Sequence, residues 1–166
     1  MQNFNTSRLI EIGYIIINEN NDIVKEYSNL IKHNDDIEIK NTHIHGISTD
    51  DVKKDGILMQ DFLQEFMVDL KGVKQIMAYN IDFDYNIMMS ELYRIYNKEA
   101  ITVISSLYSV DKSCIMLQAM KFMKVKKYPK LIHFYKFLFN EDVQQLHRAL
   151  DDVKVTLKCY LAMINL

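Results

Sequence analysis

Ile76-Met77-Ala78-Tyr79-Asn80-Ile81-Asp82-Phe83-Asp84 is the stretch on which the fold turns. Its apolar run is strand-length and ends at Tyr79-Asn80, after which Ile87, Met88, Glu91, Leu92 and Ile95 fall at helical spacing. A strand that runs straight into a helix is the building unit of α/β folds, and it delivers polar residues and a carboxylate to the strand end where sites in such folds gather. Upstream, Met59, Phe62, Leu63, Phe66, Met67 and Leu70 lay one apolar stripe along a helix that should cover a sheet. Farther upstream, the β-branched segment Leu9 to Ile17 meets the polar cluster Asn18 to Asp22, and Ile23 to Ile31 resumes a strand-like pattern, which predicts a hairpin. Downstream, Ala149, Val153, Thr156, Leu157, Tyr160, Leu161 and Ile164 form one face of a helix running nearly to the last residue. Strands come first and then alternate with helices, so the expectation is a single mixed α/β domain over residues 1–166. Lys124 to Lys130, with the sole proline at Pro129, is the expected mobile connection.

Composition sets outer bounds. A chain of 166 residues, 49% hydrophobic, is long enough for one buried core and short for two. It holds no long apolar run and no basic-then-apolar start, so a soluble, cytoplasmic protein without a membrane span or signal peptide is expected. Cys114 and Cys159 stand far apart without metal-type spacing, which suits a reducing compartment. The net charge of −2 argues against a protein that coats nucleic acid through many phosphate contacts, but not against an enzyme that grips a few nucleotides.

Three segments can carry chemistry. In Leu146-His147-Arg148-Ala149-Leu150-Asp151-Asp152, a continuous helix would place His147 and Asp152 about 140° apart around its axis. They converge only if His147 lies on the loop before the helix and Asp152 on its first turns. Asp152 borders the apolar stripe and Asp151 points away; a solvated helix start with acids favouring the dipole is the other reading. The second segment is Asn80 to Asp84, which reads either as a site at a strand end or as a turn with Asp84 capping the helix. The third, Asn41-Thr42-His43-Ile44-His45-Gly46-Ile47-Ser48, holds two histidines that point the same way if extended. That spacing can serve zinc, but no cysteine or carboxylate completes a set, so a pocket-lining loop is expected instead.

In this order these pieces resemble the DEDDh family of 3′→5′ exonucleases, the group that includes polymerase proofreading subunits. Arg8-Leu9-Ile10-Glu11-Ile12-Gly13 is similar to the family's R-I-I-E-I-G strand, and His45-Gly46-Ile47-Ser48 to its H-G-I-[ST] loop. Asn80 to Asp84 resembles its N-x-x-F-D motif, His147 to Asp152 its H-x-A-L-x-D motif, and Lys127-Tyr128-Pro129-Lys130-Leu131 its K-x-P-x-L stretch. The resemblance implies an RNase H-like fold, a mixed sheet flanked by helices. It also implies phosphodiester hydrolysis at a single-stranded DNA or RNA 3′ end with two divalent ions, Mg²⁺ or Mn²⁺, and a polymerase as a further partner. Carried over by motif, Asp84 and Asp152 would be metal ligands and His147 the general base. His45, Ile47, Asn80 and Phe83 would line the terminal-nucleotide pocket.

One part of the pattern is missing. The family's first motif, D-x-E followed by T-x-G, lies upstream of the R-I-I-E-I-G strand, and Met1 to Ser7 contain no acid. The expectation is therefore a sheet lacking its first, central strand, in an unstable and inactive or weakly active chain. A gene model begun at an internal methionine, or a fragment, would explain that; a degenerate, non-catalytic member that binds nucleic acid or a polymerase is the alternative.

Overall fold

The computed structural model describes residues 7–34, 37–96, 109–143 and 147–166. Residues 1–6, most of the segment where the first motif was sought, and Leu146 at the head of the third lie outside them.

The chain begins with the hairpin that its β-branched runs predict. Strands β1 (Glu11–Ile17) and β2 (Ile23–Lys32) pair antiparallel, from Glu11 opposite Leu30 to Ile16 opposite Lys25. Asn18 makes the turn, its side-chain oxygen accepting the N–H groups of Asn20 and Asp22, each at 2.9 Å. Two short helices follow, α1 (Thr42–His45) and α2 (Thr49–Asp55). Ser48 caps α2 in a reciprocal box with Asp51, whose carboxylate is held below its usual range by those bonds. Strand β3 (Ile57–Leu58) then adds parallel to β2, and α3 (Met59–Asp69) lies over the sheet as its apolar stripe requires.

The second half alternates. Strand β4 (Gln75–Ala78) leads into α4 (Ile81–Tyr96), and β5 (Asp111–Cys114) pairs parallel with β4 before α5 (Ile115–Phe122). Helices α6 (Leu131–Phe139) and α7 (Ala149–Ile164) complete the fold. Fully buried Ile31, Phe62, Leu63 and Leu92 centre one core, where the rings of Tyr14 and Tyr27 stack at 4.7 Å. Ile115, Ala119, Phe134 and Cys159 centre the other, formed by α5, α6 and α7.

This is the expected α/β class, small sheets flanked by helices, with the strands divided into two sheets, β1-β2-β3 and β4-β5. Among the described residues, β1 has a strand neighbour only at β2 and β4 only at β5. What bridges the halves is α4, which puts Met88 and Leu92 in the hairpin's core and buries Glu91 to 1% exposure. Glu91 accepts Arg8 Nε and the Leu9 N–H, both at 3.0 Å, and pairs with Arg94 at 2.9 Å. Arg8 also donates to His33 Nδ1 at 2.7 Å, which leaves the ring N–H at Nε2 to meet the Leu9 carbonyl at 2.7 Å. A buried charge so surrounded keeps hydrogen-bond partners.

Two local expectations change. His43 and His45 are not extended: Asn41 (φ 62°) and Gly46 (φ 71°) bracket a single helical turn, in which residues two apart point to different sides. Nor is Lys124 to Lys130 a free connection, because Pro129 is buried and its carbonyl accepts the Tyr79 hydroxyl at 2.7 Å. No helix among the described residues is long and apolar enough to cross a membrane.

Candidate active site

The two aspartates singled out from sequence come from helix starts. Asp84 sits in the first turn of α4, where the Asn80 carbonyl accepts the N–H groups of Phe83 at 2.9 Å and Asp84 at 3.3 Å. Asp152 sits in the first turn of α7, half-buried on the side of the apolar stripe, while Asp151 is exposed. His147 is exposed and outside the helix, the only arrangement in which it can approach Asp152.

Charge interactions link Asp152 to Asp84 and His147 to Asp152. Lost hydration and then the Asp152 charge push the Asp84 pKa up to about 6. Asp84 nonetheless has an open outer side, and water there screens part of that effect. Asp152 is raised too, first by burial; His147 opposes the rise while Asp151 and Glu11 add to it. Asp84, raised in part by the Asp152 charge, and Asp152 are a hard-oxygen donor pair whose charge a divalent cation would relieve, so the residues fit such an ion. Among the described residues no cluster of three or more His, Cys, Asp or Glu side chains forms a fuller ligand set.

Glu11 does not point into this pair as a spare ligand. Its carboxylate, 6% exposed, accepts Arg148 Nε at 2.8 Å and the Ala149 N–H at 2.9 Å, and Arg148 Nη2 lies 2.7 Å away. The glutamate of β1 thus caps α7, where a negative charge is favoured by the helix dipole. Two residues on, Gly13 brings the same helix close: a Cβ there would lie 2.6 Å from Leu150 N. Together Glu11 and Gly13 seat the turn that carries Asp152.

The remaining expected site residues divide. Asn80 and Phe83 line an open cleft of about 430 Å³ at the carboxyl ends of β4 and β5, with Asp82, Asn86, Leu117 and Tyr128 among its walls. His45 and Ile47 are not part of that lining. The His45 ring bridges its own loop, with Nδ1 accepting the Ile47 N–H and Nε2 against the Lys40 carbonyl, both at 3.1 Å, and Ile47 is buried. Sequence reasoning did not find the Glu11–Arg148 pair or the part Tyr79 plays. Tyr79 joins three segments: its carbonyl accepts the Met116 N–H at 2.8 Å and the Cys114 thiol at 3.4 Å, and its hydroxyl, held well above its usual range by burial, reaches Pro129. The alternation of the R-x-x-E-x-G segment hinted at a shared face for Glu11 and Gly13, but nothing local named the partner.

The chain is 27% identical over 158 residues to a DNA polymerase III PolC-type of Thermotoga maritima, a match that covers 95% of this chain and 11% of that protein. The chain thus spans about a ninth of that relative's length. A family model described as exonuclease matches residues 1–160. With nearly its whole length inside that match, the protein belongs to the exonuclease family, in the DEDD group.

Proposed function

We propose that residues 1–166 form one exonuclease domain that removes nucleotides from the 3′ end of single-stranded DNA or RNA. The observation that carries the reading is that Asp84 and Asp152, each in the first turn of a helix and far apart in the chain, interact through their charges, with His147 on the loop before the second helix. Asp84 and Asp152 would hold Mg²⁺ or Mn²⁺, which supplies charge neutralisation at the scissile phosphate and a lowered pKa for the attacking water. His147, free of the helix, takes the proton of that water on a ring nitrogen, a task suited to imidazole near neutral pH. Asn80 and Phe83 orient the terminal nucleotide from the cleft side, and His45 with Ile47, outside that lining, would meet it from their own loop. A polymerase is a fitting partner, since the relative from Thermotoga maritima is one by its name.

The test is shortening of a 5′-labelled oligonucleotide in Mg²⁺ or Mn²⁺. Because Met1 to Ser7 offer no counterpart of D-x-E, the assay compares residues 1–166 with the same chain joined to a strand segment carrying that pair. The joined protein should shorten the oligonucleotide from its 3′ end, residues 1–166 should do so far more slowly, and Asp152→Ala should stop both. A joined protein that folds and binds the oligonucleotide but never cuts would leave a non-catalytic nucleic-acid-binding domain.

A further inference from the structure

From Ser113 to Asn140 the chain contains no acid and six lysines, although its net charge is −2. Lys136 pairs with Asp142 at 2.8 Å. The other five, Lys121, Lys124, Lys126, Lys127 and Lys130, are exposed and have no ion-pair partner among the described residues. A stretch of unneutralised cations on a molecule of net charge −2 is a local attractor for a polyanion.

What this basic stretch adjoins narrows the anion. Tyr128, within it, is 65% exposed and forms a wall of the cleft opposite the first turns of α4. Phe83, one residue before Asp84, is 43% exposed in the same cleft, and the amides of Asn80 and Asn86 stand beside it. The bond from Tyr79 to the Pro129 carbonyl holds the stretch against the end of β4, with Tyr128 as the wall of the cleft from which the lysines run on either side. Exposed rings, amides and unpaired lysines around one cleft match the parts of an unpaired strand: base faces, base edges and phosphates. Asp82, also in the lining, repels phosphate and so favours the backbone on the Tyr128 side. An acidic peptide would use the lysines and make no use of the exposed ring faces.

We propose that the cleft and the Lys121–Lys130 stretch form the track along which a single-stranded nucleic acid approaches Asp84 and Asp152. A base lies against Phe83 and Tyr128, and successive phosphates pass Lys126, Lys127 and Lys130. This rests on the exonuclease reading above and extends it to the part of the substrate away from the cut.

The test is fluorescence anisotropy of labelled oligo(dT) and oligo(rU) with the whole chain, in EDTA so that nothing is cut, across a series of salt concentrations. Replacing Lys126, Lys127 and Lys130 together by Gln should flatten the slope of log K against log salt by about 2, at about 0.7 per phosphate contact on a single strand. Tyr128→Ala should weaken binding about tenfold, in the range of one lost base stack, and leave the slope unchanged. Lys54→Gln with Lys71→Gln, on other surfaces, should change neither quantity, and matched melting curves check that each variant folds. Preference for either oligonucleotide supports the track and assigns the substrate. If the oligonucleotides bind but the three-lysine variant keeps the wild-type slope, the track is wrong and the active-site reading stands. If neither binds at low salt, both fall. If polyglutamate binds with the same lysine dependence and Tyr128→Ala has no effect, the stretch serves an acidic protein and the track is overturned.

Discussion

Adding one methyl group at Gly13 tests whether β1 positions the turn that carries Asp152. An ideal Cβ there would lie 2.6 Å from Leu150 N, 2.8 Å from the Ala149 carbonyl carbon and 2.9 Å from Leu150 Cα. Ordinary contact needs about 3.5 Å or more, so α7 and β1 must separate by about 1 Å. All three obstructing atoms are backbone, and no rotamer change relieves them. The same movement stretches the 2.9 Å bond from the Ala149 N–H to Glu11 beyond hydrogen-bond range. Overpacking costs about 1–3 kcal/mol and loss of the charged cap about 1 kcal/mol more. Gly13→Ala should therefore destabilise the chain by about 2–4 kcal/mol in urea unfolding, and Mn²⁺ affinity should fall because Asp152 leaves its place beside Asp84. A variant within about 0.5 kcal/mol of wild type, with unchanged Mn²⁺ binding, would refute the close seating of α7 on β1.

The remaining predictions follow from single groups. Asp84, raised from 3.8 to about 6, contributes stability that is fully present below pH 3.8 and lost as pH rises through about 6. Asp84→Asn should then raise metal-free stability at pH 7.5 by about 1 kcal/mol, after discounting for the carboxylate's open side, and abolish most divalent-ion binding. In wild type, divalent-ion affinity should decline as pH drops below about 6; an affinity that holds at pH 5 contradicts the assignment. Tyr79→Phe removes one hydrogen bond to Pro129 and should cost about 1 kcal/mol, with faster amide exchange confined to residues 124–130; unchanged exchange would show the segment is held otherwise. Glu91→Ala leaves Arg8 without its buried partner and should cost about 3–5 kcal/mol in thermal unfolding; a loss under about 1 kcal/mol would make the network incidental.

Local pattern carried much of the fold. The hairpin, the helices of the apolar stripes and the strand leading into α4 were legible because burial on one face imposes its period on the sequence. For His147 and Asp152 the sequence left two readings open, a solvated helix start or a loop histidine near a first-turn aspartate, and helix geometry allows only the second if the two are to meet. What could not be read depends on partners distant in sequence or on backbone conformation. His43 and His45 look like a pair only in an extended chain, and two left-handed residues fold that segment into a turn of helix. Glu11 carried no local sign that Arg148 and Ala149 would claim both its oxygens. Glu91 did leave a trace, as an acid within an otherwise apolar helical stripe, yet its partners at Arg8, Leu9 and Arg94 come largely from the far end of the chain.

That distance shapes the order in which the molecule assembles. The bonds from Arg8 and Leu9 to Glu91 close loops of 83 and 82 residues, and they require α4 and the hairpin to be already docked. Such contacts belong to the late, native side of the folding barrier, whereas the hairpin and the helices can begin from neighbours in sequence. Weakening the Glu91 network should therefore hasten unfolding while leaving the refolding arm of a chevron plot nearly unchanged, and a slowed refolding arm would place the network in the nucleus instead. In that light the buried carboxylate is a latch: it sets how long the two halves stay joined more than how quickly they meet.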